Sequence, residues 1–353
     1  HVVLLSGGPP IALKVLYCLH RLGFKTHLVD LQGTSITRFS RYLNGYDRLQ
    51  PAYADGDGER LAAVLKGINA VNEVLAVVPS DIASIAALHE AKRFLNGIPA
   101  FPVSNPETLD MLDDKWQFQR FLEDSGIPAP RGVLISGLGD LEALASQGLS
   151  FPVVLKSLNG ESGHGVFIAK TRGEAERYLQ SDSRHARLPV LLQEFAPGLD
   201  ADLSILCMDG EVKSQVLQIR RDGYIVEFAR NDSATDIGRR IARAANYSGV
   251  ANIDLRIYEK TGMATVIECN PRFWYTLQAS MWRGMNFVDA GLKLASGEAE
   301  APMETPEDGL YYLHGGLIRQ VLRNPARWRT VRGYNLRGLF QALTDPLPFI
   351  RAS

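Results

Sequence analysis

The sequence predicts a mixed α/β protein, in which a parallel βαβ region is followed by an antiparallel α+β region. Over residues 1–103, short apolar runs alternate with helical patterns, and this alternation is typical of a parallel sheet. From Leu203 to Ile257, the apolar runs are separated mainly by turns at Asp209-Gly210 and Asp222-Gly223, which is typical of antiparallel strands. The two patterns together predict at least two differently built domains.

The composition is that of an ordinary globular protein. The 353 residues are 46% hydrophobic and 22% charged, which excludes the collagen-like, disordered and disulfide-scaffold classes. A formal net charge of −1 gives no overall field to attract a polyanion, so we expect neither nucleic acid nor a membrane as a partner. No segment reaches the roughly 18 uninterrupted apolar residues of a membrane span. Three cysteines stand singly, so a cytoplasmic location is the simplest expectation.

The first region reads as a Rossmann-like domain. The opening run has no basic residues ahead of it, so it is interpreted as a strand and not as a signal peptide, and residues are expected before His1. Gly7-Gly8 does not complete a G-x-G-x-x-G motif, which disfavours a nicotinamide or flavin site. The predicted strands of this region are Val2–Leu5, Thr26–Asp30 and Val74–Val78.

Three polar side chains are predicted to share one face of a β-hairpin. Asp254 lies in one alternating strand, and Glu268 and Asn270 lie in the next. The turn Glu259–Gly262 between them predicts a hairpin that places Asp254 beside Glu268. Two carboxylates and an amide oxygen are hard ligands of the kind that Mg²⁺ takes with phosphates. The alternative is that all three are solvated positions on the wet face of a sheet.

Lys156 ends an apolar strand directly before a glycine-rich loop. Apolar runs on both sides of this loop predict a second hairpin. The order strand, lysine, glycine loop allows an ammonium group and backbone amides to meet phosphate oxygens, although the loop is not a Walker A motif. A merely solvated strand-end lysine is the alternative. Arg272, just after the second strand of the carboxylate hairpin, is a planar cation suited to phosphate or carboxylate.

The chemically informative elements follow one another in a fixed order along the chain: Lys115, Lys156 with its glycine loop, Glu194, Asp254 and Glu268-Cys269-Asn270-Pro271-Arg272. This order resembles that of the ATP-grasp superfamily from residue 104 to residue 297. The last element is the most specific, because it is similar to the E-x-N-P-R strand end of that family. The resemblance implies an ATP-grasp fold, in which an N-terminal Rossmann-like (pre-ATP-grasp) domain precedes two α+β subdomains that bind ATP between them.

The resemblance also implies domain bounds. We expect a pre-ATP-grasp domain over residues 1–103, where Phe101–Glu107 is a proline-rich boundary. A subdomain with a glycine-rich lid over 104–188 and a subdomain with the metal site over 189–298 follow. Residues 299–353 form an arginine-rich extension, whose arginines outnumber its acids by seven to one from residue 309 onward.

The resemblance further implies the roles of individual residues. The expected ATP contacts are Lys115, Lys156, Gly160, Ser162, Gly163, Gly165, Gln193, Glu194, Phe195, Ala196 and Asp200. Asp202 competes with Asp200 for the ribose. The expected ligands of one or two Mg²⁺ ions, for which Mn²⁺ can substitute, are Asp254, Glu268 and Asn270. Lys156 and Arg272 are the expected catalytic residues, with Arg272 facing the transferred phosphoryl group.

The implied function is ATP-dependent ligation of a small carboxylic acid to an amine, either of which could be an amino acid. The acid would be activated as an acyl-phosphate, and ADP and phosphate would be released. The alternatives are carboxylation or carbamoyl transfer through carboxyphosphate, a small-molecule kinase, and an ATP-binding module without turnover. A homodimer is the usual expectation for such an enzyme.

Three further features stay open between function and simple solvation or packing. Arg230, in a segment interpreted as a polar insertion (Glu227–Asp236), is a candidate clamp for a substrate carboxylate. Trp274 stands where relatives often have small residues, so it either shapes a substrate pocket or only packs. Arginines recur every four residues in the extension and predict one basic helix face, at Arg319, Arg323 and Arg327.

Overall fold

Three sheets organise the part of the chain that the computed structural model describes, which comprises residues 1–142, 144, 148–158, 165–298 and 308–350. The strands are β1 (Val2–Ser6), β2 (Thr26–Asp30), β3 (Gly45–Arg48), β4 (Ala76–Pro79), β5 (Gly132–Ile135), β6 (Val153–Ser157), β7 (Val166–Ala169), β8 (Val190–Glu194), β9 (Leu199–Met208), β10 (Glu211–Asp222), β11 (Ile225–Ala229), β12 (Gly249–Ile257), β13 (Ala264–Asn270) and β14 (Gly309–Tyr312). The helices are α1 (Ile11–Arg21), α2 (Gly58–Asn72), α3 (Ile82–Lys92), α4 (Pro106–Asp113), α5 (Lys115–Asp124), α6 (Arg172–Leu179), α7 (Asp232–Ala244), α8 (Leu277–Trp282), α9 (Phe287–Ser296), α10 (His314–Arg323), α11 (Gly333–Thr344) and α12 (Leu347–Ile350). Within the described residues, no helix is both long enough and apolar enough to cross a bilayer.

The first sheet is parallel, as the sequence predicts, with strand order β3-β2-β1-β4. All five residues of β1 are buried, because its two faces pack against different helices. Val2 and Leu4 join a core with α1, whereas Val3 and Leu5 join a core with α2 and α3. This double coverage explains why β1 reads as a continuous apolar run and not as an alternating one.

The largest sheet has six strands in the order β13-β12-β9-β10-β11-β14 and is antiparallel throughout. One face is apolar where α7 packs on it, and Leu203 and Ile205 of β9 lie in one core with Ile237 of α7. Asp202 and Ser204, which alternate with them along β9, point to the opposite face. The sheet therefore offers a polar surface near the start of β9.

The third sheet is a small antiparallel one with strand order β5-β8-β6-β7. The predicted hairpin around the glycine loop is confirmed, because Lys156 on β6 pairs with Val166 on β7. Gly165 closes the hairpin with a φ of +83°, and its carbonyl accepts a 3.1 Å hydrogen bond from the Ser157 amide. The predicted lid residues Gly160, Ser162 and Gly163 lie outside the described residues.

Two predictions from the sequence are wrong. The segment interpreted as a polar insertion contains the start of α7, because the Asn231 side chain caps this helix by accepting a 2.8 Å hydrogen bond from the Ala234 amide. The predicted basic face does not lie on one helix. Helix α10 ends at Arg323, and Asn324 then caps a separate 3₁₀ turn over Pro325–Thr330.

The C-terminal extension folds back onto the parallel domain through Asp345. This carboxylate is 1% exposed and accepts hydrogen bonds from the Tyr17 hydroxyl (3.1 Å), the Ser40 hydroxyl (2.6 Å) and the Arg41 amide (2.9 Å). The extension also adds β14 to the edge of the six-stranded sheet, paired with β11. The buried Asp345 carboxylate therefore joins the C-terminal extension to residues that are far away in the sequence.

Asp345→Ala should lower the free energy of unfolding by about 3 kcal/mol, because it leaves buried donors without an acceptor. Equilibrium urea denaturation measures the change. Asp47→Ala is the matched control: Asp47 is half exposed and pairs with His27 at the surface, so its loss should cost less than about 1 kcal/mol. Equal effects of the two substitutions would contradict the proposed role of Asp345.

Candidate functional site

A cleft of about 510 Å³ lies between the small sheet and the polar face of the six-stranded sheet. It collects most of the residues that the sequence singles out. Those that line it are Lys156, Gln193, Glu194, Phe195, Ala196, Asp200, Asp254, Glu268, Asn270, Arg272 and Trp274. The structure therefore brings together side chains as far apart in the chain as Lys156 and Trp274.

Three carboxylates stand side by side across neighbouring strands of the cleft floor. Asp254 on β12 pairs in register with Glu268 on β13 and, on its other side, with Asp202 on β9. The pairing of Asp254 with Glu268 confirms the predicted hairpin. One step along the strands, Asn252 pairs in register with Asn270. The cleft floor is consequently built from two rows of oxygen-bearing side chains.

The electrostatics of the carboxylate row favour a bound cation. Burial raises the pKa of Asp254 well above its usual value, and the nearby carboxylates of Asp202 and Glu268 raise it further. Asp202 itself is neutralised by Arg220, whose guanidinium donates two hydrogen bonds to it, at 2.9 and 3.0 Å. Glu268 forms an ion pair with Lys115, whereas Asp254 is left as the carboxylate whose repulsion by its neighbours a cation would relieve.

The donor set fits Mg²⁺ chemically. Carboxylate and amide oxygens are its preferred protein ligands, and phosphate oxygens usually complete its shell. Among the described residues, no group of three or more histidine, cysteine, aspartate and glutamate side chains is arranged to hold a metal by itself. A Mg²⁺ ion at Asp254 and Glu268 would therefore also need the Asn270 amide oxygen and oxygens from a substrate.

Two buried lysines face this carboxylate row. Lys115, the first residue of α5, places its Nζ 3.5 Å from the Glu268 Oε1 atom. Lys156 donates hydrogen bonds to Gln193 Oε1 at 2.6 Å and to the Ile267 carbonyl at 3.3 Å. Gln193 in turn donates to Gln119 Oε1 at 2.6 Å, so its oxygen is fixed toward the lysine. Lys156 thus lines the cleft itself, whereas Lys115 is not among the lining residues and reaches the carboxylate row through Glu268.

Burial lowers the pKa of Lys156 to about 8. Lys115 and Arg256 lower it as well, and Glu268 and Asp254 raise it. Lys156 is consequently close to losing its charge at a mildly alkaline pH, whereas an anionic ligand beside it would restore the charge.

This shift predicts a pH-dependent affinity for nucleotide. Only the protonated lysine attracts phosphate, so the Kd of ADP should be constant below about pH 8 and rise by up to about tenfold per pH unit above it. Calorimetric titration with ADP measures the profile. Lys156→Met should flatten the profile, and Lys170→Met, at an exposed position directly after β7, should preserve it. An identical profile in Lys156→Met would contradict the assignment.

Arg272 follows the end of β13, where Pro271 stops the strand. Its side chain is 5% exposed and donates hydrogen bonds to the Asn270 Oδ1 atom and the Phe273 carbonyl, both at 3.1 Å. This planar cation is therefore fixed beside the predicted metal-binding amide, at one end of the carboxylate row.

The predicted adenine hinge lies at the end of β8. The Glu194 carboxylate is paired with Arg131, whose guanidinium approaches to 2.7 Å, so an adenine contact by Glu194 would come from its backbone. Phe195 is 37% exposed and lines the cleft. Asp200, at the start of β9, forms a 3.1 Å ion pair with Arg256 at the rim.

Two candidate substrate residues have different outcomes. Arg230 is exposed and is not among the residues that line the cleft. Trp274 lines the cleft but is 4% exposed and packs edge-to-face on Phe287, with ring centroids 5.0 Å apart.

Sequence reasoning missed Arg220, although its place in the alternating strand β10 puts it on the same face as Gln218.

Comparisons with known proteins agree with this geometry. Residues 112–242 match a family model described as a RimK-like ATP-grasp domain. Residues 187–313 match a model described as ATP-grasp in the biosynthetic pathway with Ter operon. Together the two ATP-grasp models cover more than half of the chain. The chain belongs to the ATP-grasp superfamily. The family predicted from the order of Lys115, Lys156, Asp254 and Glu268 is thereby confirmed.

Curated relatives of this ATP-grasp chain include larger enzymes. It is 25% identical over 219 residues to the carbamoyl phosphate synthase large chain of Thermomicrobium roseum, which is 58% of this chain and 20% of the relative. It is 30% identical over 104 residues to the cyanophycin synthetase of Trichormus variabilis, covering 30% of this chain and 11% of the relative. The matches thus span a fifth or less of the length of these relatives.

Solved structures confirm the ATP-grasp fold over most of the chain. The L-amino acid ligase from Bacillus licheniformis superposes with a TM-score of 0.64 at 18% identity, covering 89% of this chain and 79% of the ligase. The N5-carboxyaminoimidazole synthetase from Staphylococcus aureus, complexed with ADP, superposes with a TM-score of 0.67 at 13% identity, covering 92% and 86%. A third neighbour is the biotin carboxylase domain of Hydrogenobacter thermophilus 2-oxoglutarate carboxylase, in complex with MgADP and bicarbonate. It superposes with a TM-score of 0.64 at 17% identity, covering 88% of this chain and 73% of that domain.

Proposed function

We propose that this chain is an ATP-dependent carboxylate–amine ligase, which activates a small carboxylic acid as its acyl-phosphate and transfers the acyl group to an amine. The observation that carries the proposal is the set of opposed charges in one cleft. The cleft of about 510 Å³ is lined by Lys156, Arg272, Asp254 and Glu268, and Lys115 lies 3.5 Å from Glu268. Its volume is large enough for a nucleotide and a small acid.

The cations of the cleft are suited to phosphoryl transfer. Such transfer depends on positioning and charge neutralisation, because negative charge is spread over the phosphoryl oxygens as the bond to the leaving group breaks. Lys115 and Lys156 would hold the phosphates of ATP, and Arg272 would neutralise the group being transferred. A Mg²⁺ ion held by Asp254, Glu268 and Asn270 would neutralise further charge on those phosphates.

The reaction has two balanced steps. An oxygen of the substrate carboxylate attacks the γ-phosphorus, the bond to the β-phosphate oxygen breaks, and ADP leaves. The nitrogen of the amine then attacks the acyl carbon of the mixed anhydride, and the C–O bond to phosphate breaks. Inorganic phosphate leaves, and the amine gives up a proton to form the amide. The cleft side chains would hold both substrates in position and exclude water.

The buried cysteines support this route over a covalent acyl-enzyme. Cys18, Cys207 and Cys269 are at most 2% exposed. Burial raises the pKa of all three thiols, that of Cys207 to about 12, so a thiolate nucleophile is strongly disfavoured. Activation through phosphate needs no such nucleophile.

A second candidate is phosphorylation of bicarbonate to carboxyphosphate, followed by carboxylation or carbamoyl transfer. The similarity to carbamoyl phosphate synthase large chains favours it, as does the bicarbonate beside MgADP in the related biotin carboxylase domain. Bicarbonate is also a carboxylate, so the same cations would serve it. The nature of the acid therefore decides between the two candidates.

The deciding experiment is phosphate release from Mg-ATP with a panel of amino acids and other small acids and amines, offered singly, in pairs and with bicarbonate. Release that needs an acid and an amine together, with an amide product by mass spectrometry, supports the ligase. Release that needs bicarbonate supports the second candidate. A phosphorylated product without free phosphate would indicate a kinase and would overturn both. Glu268→Ala, which should be inactive, controls for contaminating ATPases.

A further inference from the structure

A second cavity, also of about 510 Å³, lies between α1, α8 and α11. We call it the α1–α11 pocket, and it is lined by His20, Arg21, Tyr42, Trp282, Arg337 and Phe340, among others. Among the residues that the structure describes, it shares no lining residue with the nucleotide cleft. Its walls come from the parallel domain, from α8 and from the C-terminal extension, so it exists only because the extension folds back.

Flat aromatic surfaces form much of the wall. The His20 ring stacks on Tyr42 with centroids 4.0 Å apart and planes at 26°. The Arg21 guanidinium lies over the Trp282 ring, 5.6 Å from its centroid. Phe340, on α11, is 67% exposed. A large aromatic side chain left this open at the edge of a cavity has apolar area available for a planar ligand.

The pocket is also positively charged. Arg21 and Arg337 both contribute to its lining, and no carboxylate occurs among the lining residues that the structure describes. Neither guanidinium has a hydrogen bond or an ion pair with another described residue. Asp345 lies close by, but its oxygens already accept from Tyr17, Ser40 and the Arg41 amide. Two arginines that line a cavity with no carboxylate in its described lining favour an anionic occupant.

His20 adds a ring and not a charge at neutral pH. Burial lowers its pKa, and the neighbouring Arg41 lowers it further, whereas Asp345 raises it. The positive charge of the pocket therefore comes from the two arginines.

We propose that the α1–α11 pocket is a second binding site, which takes an anionic small molecule with a planar aromatic part, such as an aromatic carboxylate. The volume lies within the range of small-molecule sites. The carboxylate would pair with Arg337 and Arg21, and the ring would lie against Phe340 and Trp282. This inference does not rest on the activity proposed for the nucleotide cleft.

Isothermal titration with 1-naphthoate tests the inference, and the neutral 1-naphthamide serves as the matched ligand. Each titration is run with and without saturating Mg-ADP, so that binding in the nucleotide cleft is recognised. We expect one site for 1-naphthoate, unaffected by Mg-ADP, with a Kd at least about tenfold lower than that of the amide, because the charge-assisted hydrogen bonds are lost in the amide.

Arg337→Ala should raise the Kd of 1-naphthoate by about tenfold and leave the Kd of 1-naphthamide nearly unchanged. Arg323→Ala removes the same charge from an exposed site on the neighbouring helix α10 and should leave the Kd values of both ligands unchanged. The inference is overturned if 1-naphthoate does not bind at about 1 mM, if acid and amide bind equally, if Mg-ADP displaces the acid, or if the two variants behave alike.

Discussion

Glu268→Gln should reduce ATP-dependent phosphate release by about a thousandfold, or about 4 kcal/mol of transition-state stabilisation. The substitution keeps the shape of the side chain and removes its charge. That charge lies 3.5 Å from the Lys115 Nζ atom and in register with Asp254, where the lysines, the carboxylate row and the expected metal meet. Steady-state phosphate release with the substrates identified by the panel measures the effect.

Glu211→Gln is the control for this prediction. Glu211 begins β10 in the same sheet and pairs with Lys213 at the exposed surface, so its neutralisation should change the rate by less than about twofold. Thermal unfolding of both variants confirms that they are folded. If Glu268→Gln retained more than about a tenth of the wild-type rate, Glu268 would not be at the reacting phosphates.

Arg272→Lys should lower kcat by about 100-fold or more and leave the KM for ATP within about threefold. Lysine keeps the charge but loses the planar fork. The arginine uses this fork to hold both the Asn270 amide oxygen and the Phe273 carbonyl while facing the cleft. A loss in kcat with little change in KM is expected if the contact to substrate strengthens in the transition state.

The matched control for Arg272→Lys is Arg221→Lys, because Arg221 lies on the same sheet and makes an exposed pair with Glu227. The kcat of Arg221→Lys should be that of the wild type. A large rise in KM for ATP with an unchanged kcat in Arg272→Lys would instead place Arg272 in ground-state nucleotide binding and contradict a role at the transferred group.

Local patterns predicted the carboxylate hairpin and the lysine hairpin correctly. In both, the strands are neighbours in sequence, so alternation and a turn signal suffice to bring Asp254 beside Glu268 and Lys156 opposite Val166. The family and its fold followed from the order of these elements. Contacts formed over short sequence distances are the ones that a local pattern encodes.

The neutralised carboxylate Asp202 shows where such reasoning fails. It was weighed only as a ribose ligand, yet it stands in the carboxylate row, because β9 inserts between β12 and β10 in the sheet. Strand order across such distances depends on the packing of whole sheets and has no local signature. Its partner Arg220 is a different case, because it lies only 18 residues away on the hairpin of β9 and β10, where alternation along β10 could have indicated it.

The C-terminal extension was also beyond local prediction. An excess of arginines predicted a basic helix face, whereas the fold uses Asp345, the one acid from residue 309 onward, as a buried acceptor for donors more than 300 residues away. By contrast, the start of α7 could have been predicted, since Asn231 followed by Asp232 and Ser233 is a helix N-terminus signal.

Isotope transfer during turnover tests directly whether the carboxylate is phosphorylated. The substrate acid, labelled with ¹⁸O in its carboxylate, is converted in unlabelled water with Mg-ATP, and the released phosphate is analysed by mass spectrometry. Activation through an acyl-phosphate predicts one ¹⁸O atom in each phosphate, because the carboxylate oxygen that attacks the γ-phosphorus leaves with it. Phosphate without ¹⁸O would show that the carboxylate is not phosphorylated in this cleft, and would contradict the proposed function.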